Sequence, residues 1–293
     1  MASFVDHLQI LPVPSVGGVR QPDGDHRPGG LGMLTLADRL TARGWTARVE
    51  DIGFDKRLPE ARIVESYARA IGDGVLSAWE RNRFPIVLTR VSYGALGVVD
   101  ALGEDTGVIW ISPRVEYPKK GLLRRPPVER AALSLMTGRV ERDSLAVSPV
   151  ELPVDRVIVA GGWRTHESER DALVEAGARI VPREGLDTLA DTVGAVNAER
   201  WYVHLDAPAL DRGVAPAAAD GSEGGFEPDS LVAALREALS ERDVACLALA
   251  RYDLNRDEGE TTAETLTEIL DALARVAGGH PRPETAAESP GPP

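Results

Sequence analysis

Residues 85–97 read PIVLTRVSYGALG, an apolar run that passes through a short polar segment into a second apolar stretch. The run Pro85–Val91 is almost continuously apolar, which is typical of a strand covered by helices on both faces. The stretch Ala95–Leu102 has apolar residues at three- and four-residue spacing, which predicts a helix. A buried strand followed at once by a helix is the repeating unit of a parallel α/β sheet.

The same unit recurs along the chain. Further strands are predicted at Phe4–Val13, Ala47–Ile52, Gly107–Ser112, Arg156–Ala160, Ala178–Pro182, Trp201–Asp206 and Val244–Tyr252. Further helices are predicted at Leu31–Ala42, Glu60–Asn82, Val128–Thr137, Glu167–Ala176, Leu186–Val196, Asp229–Ser240 and Thr262–Val276. This alternation predicts one α/β domain over residues 1–277, with three α/β/α layers around an eight-stranded, mostly parallel sheet. The tail 278–293 is rich in Gly, Pro, Ala and Glu, and we expect it to be disordered.

Composition narrows the class of protein. The 293-residue chain is 43% hydrophobic, enough for a sizeable core, and its formal charge of −13 disfavours binding to nucleic acid. It contains no apolar run long enough to predict a transmembrane helix and no signal-peptide pattern. A single cysteine, Cys246, excludes an intramolecular disulfide, so a cytoplasmic location is the default expectation.

Ligands of an open parallel sheet bind beyond the carboxyl ends of its strands, where this chain carries several polar side chains. His204 precedes Asp206 by two residues, so both point to the same side of their strand. The resulting candidates for a ligand-binding pocket are Arg90, Ser92, Arg114, Glu116, His204, Asp206 and Arg251.

Four of these segments carry a family resemblance. They are residues 85–97, the run VIWISPRVEYP at 108–118, the run YVHLDAPALDRGVAP at 202–216 and the run GGFEPDSLVAALREAL at 224–239. In order and spacing they resemble the ureohydrolase superfamily of arginase, agmatinase and formimidoylglutamase, and the resemblance spans about residues 8–276. It implies an arginase-like fold, assembly as trimers or hexamers, and hydrolysis of guanidino C–N bonds at two Mn²⁺ ions held by four aspartates and two histidines.

The departures from that pattern bear on function. The resemblance gives the metal-ligand positions to Ser92, Ser112, Arg114, Glu116, Asp206 and Pro208. Only Asp206, and Glu116 by type, could still bind a metal, so we expect no metal cofactor; Mn²⁺ would be present only if a degenerate site still works. The resemblance adds Arg124, near the general-acid histidine position, to the pocket candidates, and it gives Arg251 the substrate-facing glutamate position.

These substitutions predict a non-hydrolytic pseudoenzyme. It would bind a small anionic ligand, or act as a subunit of a homo-oligomer or of a hetero-oligomer with an active relative. Arg90, Arg114, Arg124 and Arg251 would form structural ion pairs, a cationic pocket or solvated surface. The alternatives are a guanidino C–N hydrolase with an atypical metal site and a metal-independent enzyme that uses the arginines.

Three weaker motifs compete. Ser92, between a strand and a helix, resembles a nucleophile elbow, but Arg90 would hinder the tight turn. Gly94 and Gly97 form a fragment of a dinucleotide-binding fingerprint. Trp163 and His166 follow the fifth strand, and we expect them to be packing residues.

Overall fold

A computed structural model of the chain describes residues 6–13, 30–53, 60–115, 117, 131–139, 151–221, 223–253 and 256–278. Strands and α-helices alternate within these ranges. The strands are β1 His7–Pro12, β2 Thr46–Val49, β3 Phe84–Thr89, β4 Thr106–Ser112, β5 Val157–Gly161, β6 Arg179–Val181, β7 Arg200–Asp206 and β8 Val244–Ala250. The helices are α1 Gly30–Ala42, α2 Glu60–Glu80, α3 Ala95–Leu102, α4 Ala132–Met136, α5 Glu167–Glu175, α6 Leu189–Gly194, α7 Pro228–Leu239 and α8 Thr261–Gly278.

The eight strands form one sheet in the order β2-β1-β3-β8-β7-β4-β5-β6, and every pairing between them is parallel. The predicted α/β class and eight-stranded sheet are therefore confirmed. Between β3 and β4 the chain leaves a gap that β8 and β7 later fill. The carboxyl ends of these four strands thus meet in the middle of one edge of the sheet, where open α/β sheets bind ligands.

A hydrophobic cluster covers each face of the sheet. Along β4, Ile109 and Ile111 belong to one cluster, whereas Val108 and Trp110 belong to the other. All four are at most 3% exposed, which explains why the strand sequences are apolar without alternation. Helices α1, α6, α7 and α8 pack on the first face, and α2 to α5 pack on the second.

Gly97 allows α2 and α3 to pack unusually closely. A Cβ atom at Gly97 would lie 2.1 Å from the Ala68 carbonyl oxygen and 2.9 Å from Ile71 Cβ. No side chain larger than hydrogen fits there. The glycine thus serves contact between helices, which accounts for it without a dinucleotide fingerprint.

Two central strands end earlier than predicted. β8 stops at Ala250 rather than Tyr252 because Arg251 has a φ of 63°, in the left-handed region. β3 stops at Thr89, whose hydroxyl donates to the Val91 carbonyl oxygen (3.0 Å) and accepts from the Val91 amide (3.2 Å). These endings turn the chain away from the sheet just beyond the strands, where we expected the site.

Other boundaries also shift. The helix predicted at Leu186–Val196 is a 3-10 turn, Arg183–Thr188, followed by α6. Of the predicted Val128–Thr137 helix, residues 128–130 lie outside the described residues, as do Phe4, Val5 and residues 279–293 of the predicted tail. None of the described helices is both long and apolar enough to cross a membrane.

Candidate functional site

One buried carboxylate, that of Asp206, joins three strand ends. Asp206 ends β7 and is 2% exposed. Ser92, which follows β3, donates its hydroxyl to Oδ1 at 2.9 Å, and Ser112, which ends β4, donates to Oδ2 at 2.7 Å. Both carboxylate oxygens are therefore engaged by side chains from neighbouring segments. The structure thus brings together Ser92 and Asp206, two of the predicted site residues.

The end of β4 that carries Ser112 is held against β5. The amide of Gly162 donates to the Ser112 carbonyl oxygen at 2.8 Å. Gly161 has a φ of 114°, and a Cβ atom there would lie 2.6 Å from the same oxygen. The Ser112 hydroxyl also lies 2.9 Å from the Arg114 carbonyl oxygen, but it has one proton, and the charged carboxylate of Asp206 is the stronger acceptor.

His204 extends the cluster into the sheet. Its Nε2 lies 3.2 Å from Asp206 Oδ1, and its Nδ1 lies 2.8 Å from the hydroxyl of Tyr202. Tyr202, His204 and Asp206 alternate along β7 and so share one face of the strand. The imidazole also stacks on the indole of Trp110, its register partner on β4.

These contacts determine the charge of the carboxylate. Burial by itself raises the pKa of Asp206, but the hydrogen bond from His204, the charge of Arg251 and the Ser112 hydroxyl together lower it below its ordinary value. Burial raises the pKa of Tyr202 well above its usual range, so the phenol keeps its proton. Asp206 is therefore an ionised anchor for hydrogen-bond donors, and its lowered pKa makes it a poor general base.

Two of the predicted arginines form ion pairs with acids that are not among the predicted pocket residues. Arg251 contacts Asp220 at 3.0 Å, and Arg90 contacts Asp253 at 3.5 Å. Asp220 is 78% exposed, so its pair with Arg251 is screened by water, whereas the Arg90 and Asp253 side chains are both half-buried. A cationic pocket built from the predicted arginines would therefore carry less positive charge than the arginines alone suggest.

The remaining predicted residues divide into two groups. Arg114 is half-buried, and its side chain has no hydrogen-bond or ion-pair partner among the residues that the structure describes. Its backbone amide donates to the Ser112 hydroxyl at 3.3 Å. Glu116 and Arg124 lie outside the described residues, so their predicted place in the site stays a prediction.

Trp163, beyond β5, packs as expected, whereas His166 is exposed and caps a helix instead of packing. Trp163 meets the ring of Phe226 edge-on, with centroids 5.4 Å apart. His166 is the N-cap of α5, where its side chain accepts from the Ser168 amide at 3.3 Å. Neither contact is with Asp206.

Tyr202 and Trp110, which hold His204 in place, are not among the predicted site residues. The alternation of Tyr202, His204 and Asp206 along one strand was a usable signal, since side chains two residues apart share a face. Trp110 was harder to find, because its pairing with His204 depends on β4 and β7 being neighbours in register. For Ser112, the ureohydrolase resemblance predicted only that it stands at a metal-ligand position.

A pair of Mn²⁺ ions, which the ureohydrolase resemblance implies, does not fit the residues present. Hard divalent ions need several carboxylate or imidazole ligands. Here the hydroxyls of Ser92 and Ser112 donate hydrogen bonds to Asp206 instead of offering negative charge to a metal. Pro208 has no side-chain atom that could bind a metal, and Arg114 is itself a cation. Within the described ranges, no group of three His, Cys, Asp or Glu side chains lies close enough together to hold a metal ion.

Comparisons with known proteins agree with the topology. No protein-family model and no curated protein matches the chain. Among solved structures, an arginase from Bacillus cereus is 20% identical, with a TM-score of 0.75 over 91% of this chain and 97% of that one. A formimidoylglutamase from Bacillus subtilis subsp. subtilis str. 168 is 14% identical, with a TM-score of 0.71 over 94% and 89% of the two chains.

An agmatine ureohydrolase of Thermoplasma volcanium is 12% identical, with a TM-score of 0.64 over 95% of this chain and 92% of that one. At such identities the likeness concerns the path of the backbone and leaves the chemistry of the site open. The sheet order, the all-parallel pairing and the nearly complete coverage of each chain lead to one conclusion: this protein has the arginase-like α/β fold of the ureohydrolases.

Proposed function

We propose that this chain is a divergent ureohydrolase that works as a pseudoenzyme, without hydrolysing guanidino C–N bonds. The observation that carries the proposal is the state of Asp206, whose two carboxylate oxygens receive hydrogen bonds from Ser92, Ser112 and His204. Under the ureohydrolase resemblance, Ser92 and Ser112 stand where metal ligands would be. Their protons satisfy the carboxylate that would otherwise face a cation.

Breaking this arrangement to admit a metal would be unfavourable. A cation at Asp206 would displace hydroxyl and imidazole protons that already stabilise a buried charge. It would also approach Arg251, whose positive charge acts on the same carboxylate. The cluster supplies from its own side chains the stabilisation that a carboxylate in a metal site takes from the ion.

The test is a metal and activity measurement on the full chain. After incubation with excess Mn²⁺ and removal of free ion, we expect well under one manganese per chain by elemental analysis. We also expect no urea above background from arginine or agmatine. One or two retained manganese ions per chain together with urea release would overturn the proposal in favour of a hydrolase with an atypical metal site.

A second candidate function is binding of a small anion at the mouth of the site. Half-buried Arg114 has no side-chain partner among the described residues, and the carboxylate partner of Arg251 is largely exposed. An anionic ligand could bind Arg114 and take the place of Asp220 on Arg251.

Thermal unfolding with malonate or inorganic phosphate, compared with sodium chloride at equal ionic strength, tests this second candidate. We expect an upward shift of the midpoint that Arg251→Ala and Arg114→Ala reduce. Arg170→Ala, at an exposed position on α5, is the control and should keep the shift. Equal midpoints in all three salts would exclude the anion site.

A further inference from the structure

Helices α7 and α8 enclose a surface groove on the face of the molecule away from the sheet. The groove has a volume of about 560 Å³ and is lined by Arg43, Pro228, Asp229, Val232, Arg236, Glu268, Ile269, Asp271, Ala272 and Arg275. Three of these residues are basic and three are acidic, so the groove is locally neutral. The whole chain has a formal charge of −13, and most of its surface therefore repels another copy of itself.

The α8 side of the groove has its charges satisfied within the chain. Arg275 contacts Asp271 at 2.9 Å, and Arg43 contacts Glu268 at 3.9 Å and also pairs with Glu264. These pairs tie α8 to itself and to the residue that follows α1. They leave no unpaired charge on that wall.

The α7 side differs. Asp229 and Arg236 are exposed and make no hydrogen bond or ion pair with any described residue, and half-buried Val232 lies between them. A separation of seven residues is close to two helical turns, so Asp229 and Arg236 lie on one line along α7, about 10 Å apart. The side of α7 next to this line is buried through Leu231 and Leu235.

A line with an acid at one end, an apolar residue at its centre and a base at the other end is complementary to itself. When two such helices pack antiparallel about a two-fold axis near Val232, Asp229 of each copy faces Arg236 of the other. The same pair then forms twice, as in any isologous contact. A parallel arrangement would instead place like charges opposite each other.

We propose that α7 is a two-fold docking surface for a second copy of this chain, with α7 of each copy seated in the α7–α8 groove of the other. The inference rests on the charge pattern of α7 and is independent of the proposed function. Charge pairs of this kind fix the register and orientation of a contact.

Charge reversals on the full chain test the arrangement, with light scattering after size exclusion as the readout. For the wild type we expect a concentration-dependent doubling of mass that weakens at high salt. Each of the substitutions Asp229→Arg and Arg236→Glu brings like charges at positions 229 and 236 opposite each other, twice in the two-fold interface. Each should therefore weaken association about tenfold or more.

Recombination of the reversals is the decisive measurement. The variant carrying both substitutions exchanges the two signs and should associate like the wild type. An equimolar mixture of the two single variants should also associate, because the Asp229→Arg chain has two basic ends on α7 and the Arg236→Glu chain has two acidic ends. Glu237→Arg, on the same helix outside the groove, is the control and should leave the mass unchanged.

Several outcomes overturn the proposal. These are a wild type whose mass never doubles, single reversals that associate like the wild type, or a mixture that stays apart. Circular dichroism of each variant checks its folding. A single variant that fails to fold leaves the double variant as the test.

Discussion

The imidazole of His204 lies parallel to the indole of Trp110, with the ring centroids 3.8 Å apart and 11° between the planes. In this position one ring nitrogen faces the Tyr202 hydroxyl and the other faces Asp206. Because Asp206 is ionised and only accepts, Nε2 carries the proton that is shared with it. The buried phenol of Tyr202 stays protonated and donates a hydrogen bond to Nδ1.

We expect the hydrogen bonds of His204 and the stacking of its ring on Trp110 to contribute separately to the free energy of unfolding. We expect His204→Phe, which keeps a stacking ring, to lower the free energy of unfolding by about 2 kcal/mol, since Asp206 loses a donor and the Tyr202 hydroxyl an acceptor. His204→Ala also leaves a cavity and should lower it further, to about 4 kcal/mol in total. Urea unfolding measures both. Equal losses for the two variants would mean that the stack on Trp110 contributes nothing.

The lowered pKa of Asp206 predicts how stability depends on pH. As the pH falls, the unfolded chain takes up this proton first, at the ordinary carboxyl pKa of about 4, whereas the folded protein resists it. The stabilisation is therefore complete at neutral pH and is lost as the pH falls through and below about 4. The difference in free energy of unfolding between wild type and Asp206→Asn should be constant from pH 7 to 6 and shrink in acid.

Repeating that titration in 0.5 M sodium chloride separates the buried carboxylate from surface charges. Salt screens exposed pairs much more than buried ones. The acid-dependent difference between wild type and Asp206→Asn should survive the added salt. A difference that grows toward acid would contradict a lowered pKa at this residue.

The contact between α2 and α3 predicts opposite effects for two glycine substitutions. In Gly97→Ala the new methyl group would meet the Ala68 carbonyl oxygen, and we expect a loss of about 3 kcal/mol as the helices are forced apart. In Gly194→Ala, at the end of α6, the nearest atom is Arg242 Nη2 at 3.9 Å. Alanine should be neutral there or stabilise by up to about 1 kcal/mol.

Thermal and urea unfolding of both alanine variants would test the contact. Because both substitutions add the same methyl group within a helix, their difference isolates the close approach at Ala68. A Gly97→Ala protein as stable as the wild type would show that α2 and α3 are not held at this separation.

Substituting metal-binding residues back into the chain tests whether the residues around Asp206 occupy the metal-ligand positions that the ureohydrolase resemblance implies. The combined variant Ser92→His, Ser112→Asp, Arg114→His and Pro208→Asp restores imidazole and carboxylate groups around Asp206. We expect this variant to retain at least one Mn²⁺ per chain, because hard cations bind where several such ligands converge. Calorimetric titration with Mn²⁺ measures the gain against the wild type. A folded variant that binds no more manganese than the wild type would contradict the assignment of these positions.

The fold was more predictable than the site. Apolar runs marked the central strands, because burial on both faces leaves few polar residues in them, whereas the edge strands β2 and β6 are only partly buried. The shared face of His204 and Asp206 followed from strand periodicity alone. The pairing of Arg251 with Asp220 did not, since it joins side chains 31 residues apart whose loops have no regular pattern. Nor does the stack on Trp110, which requires knowledge of the order of strands in the sheet.

The hydrogen bonds at Asp206 have a consequence for how this edge of the sheet assembles. The ends of β4 and β7 and the segment after β3 are cross-linked there by groups that the chain carries itself. A cross-link made of side-chain hydrogen bonds contains no exchangeable ligand. Neither a chelator nor a shortage of metal ions can therefore remove it. The strand ends would then close as soon as the chain folds, at a strength independent of the supply of any ion in its surroundings.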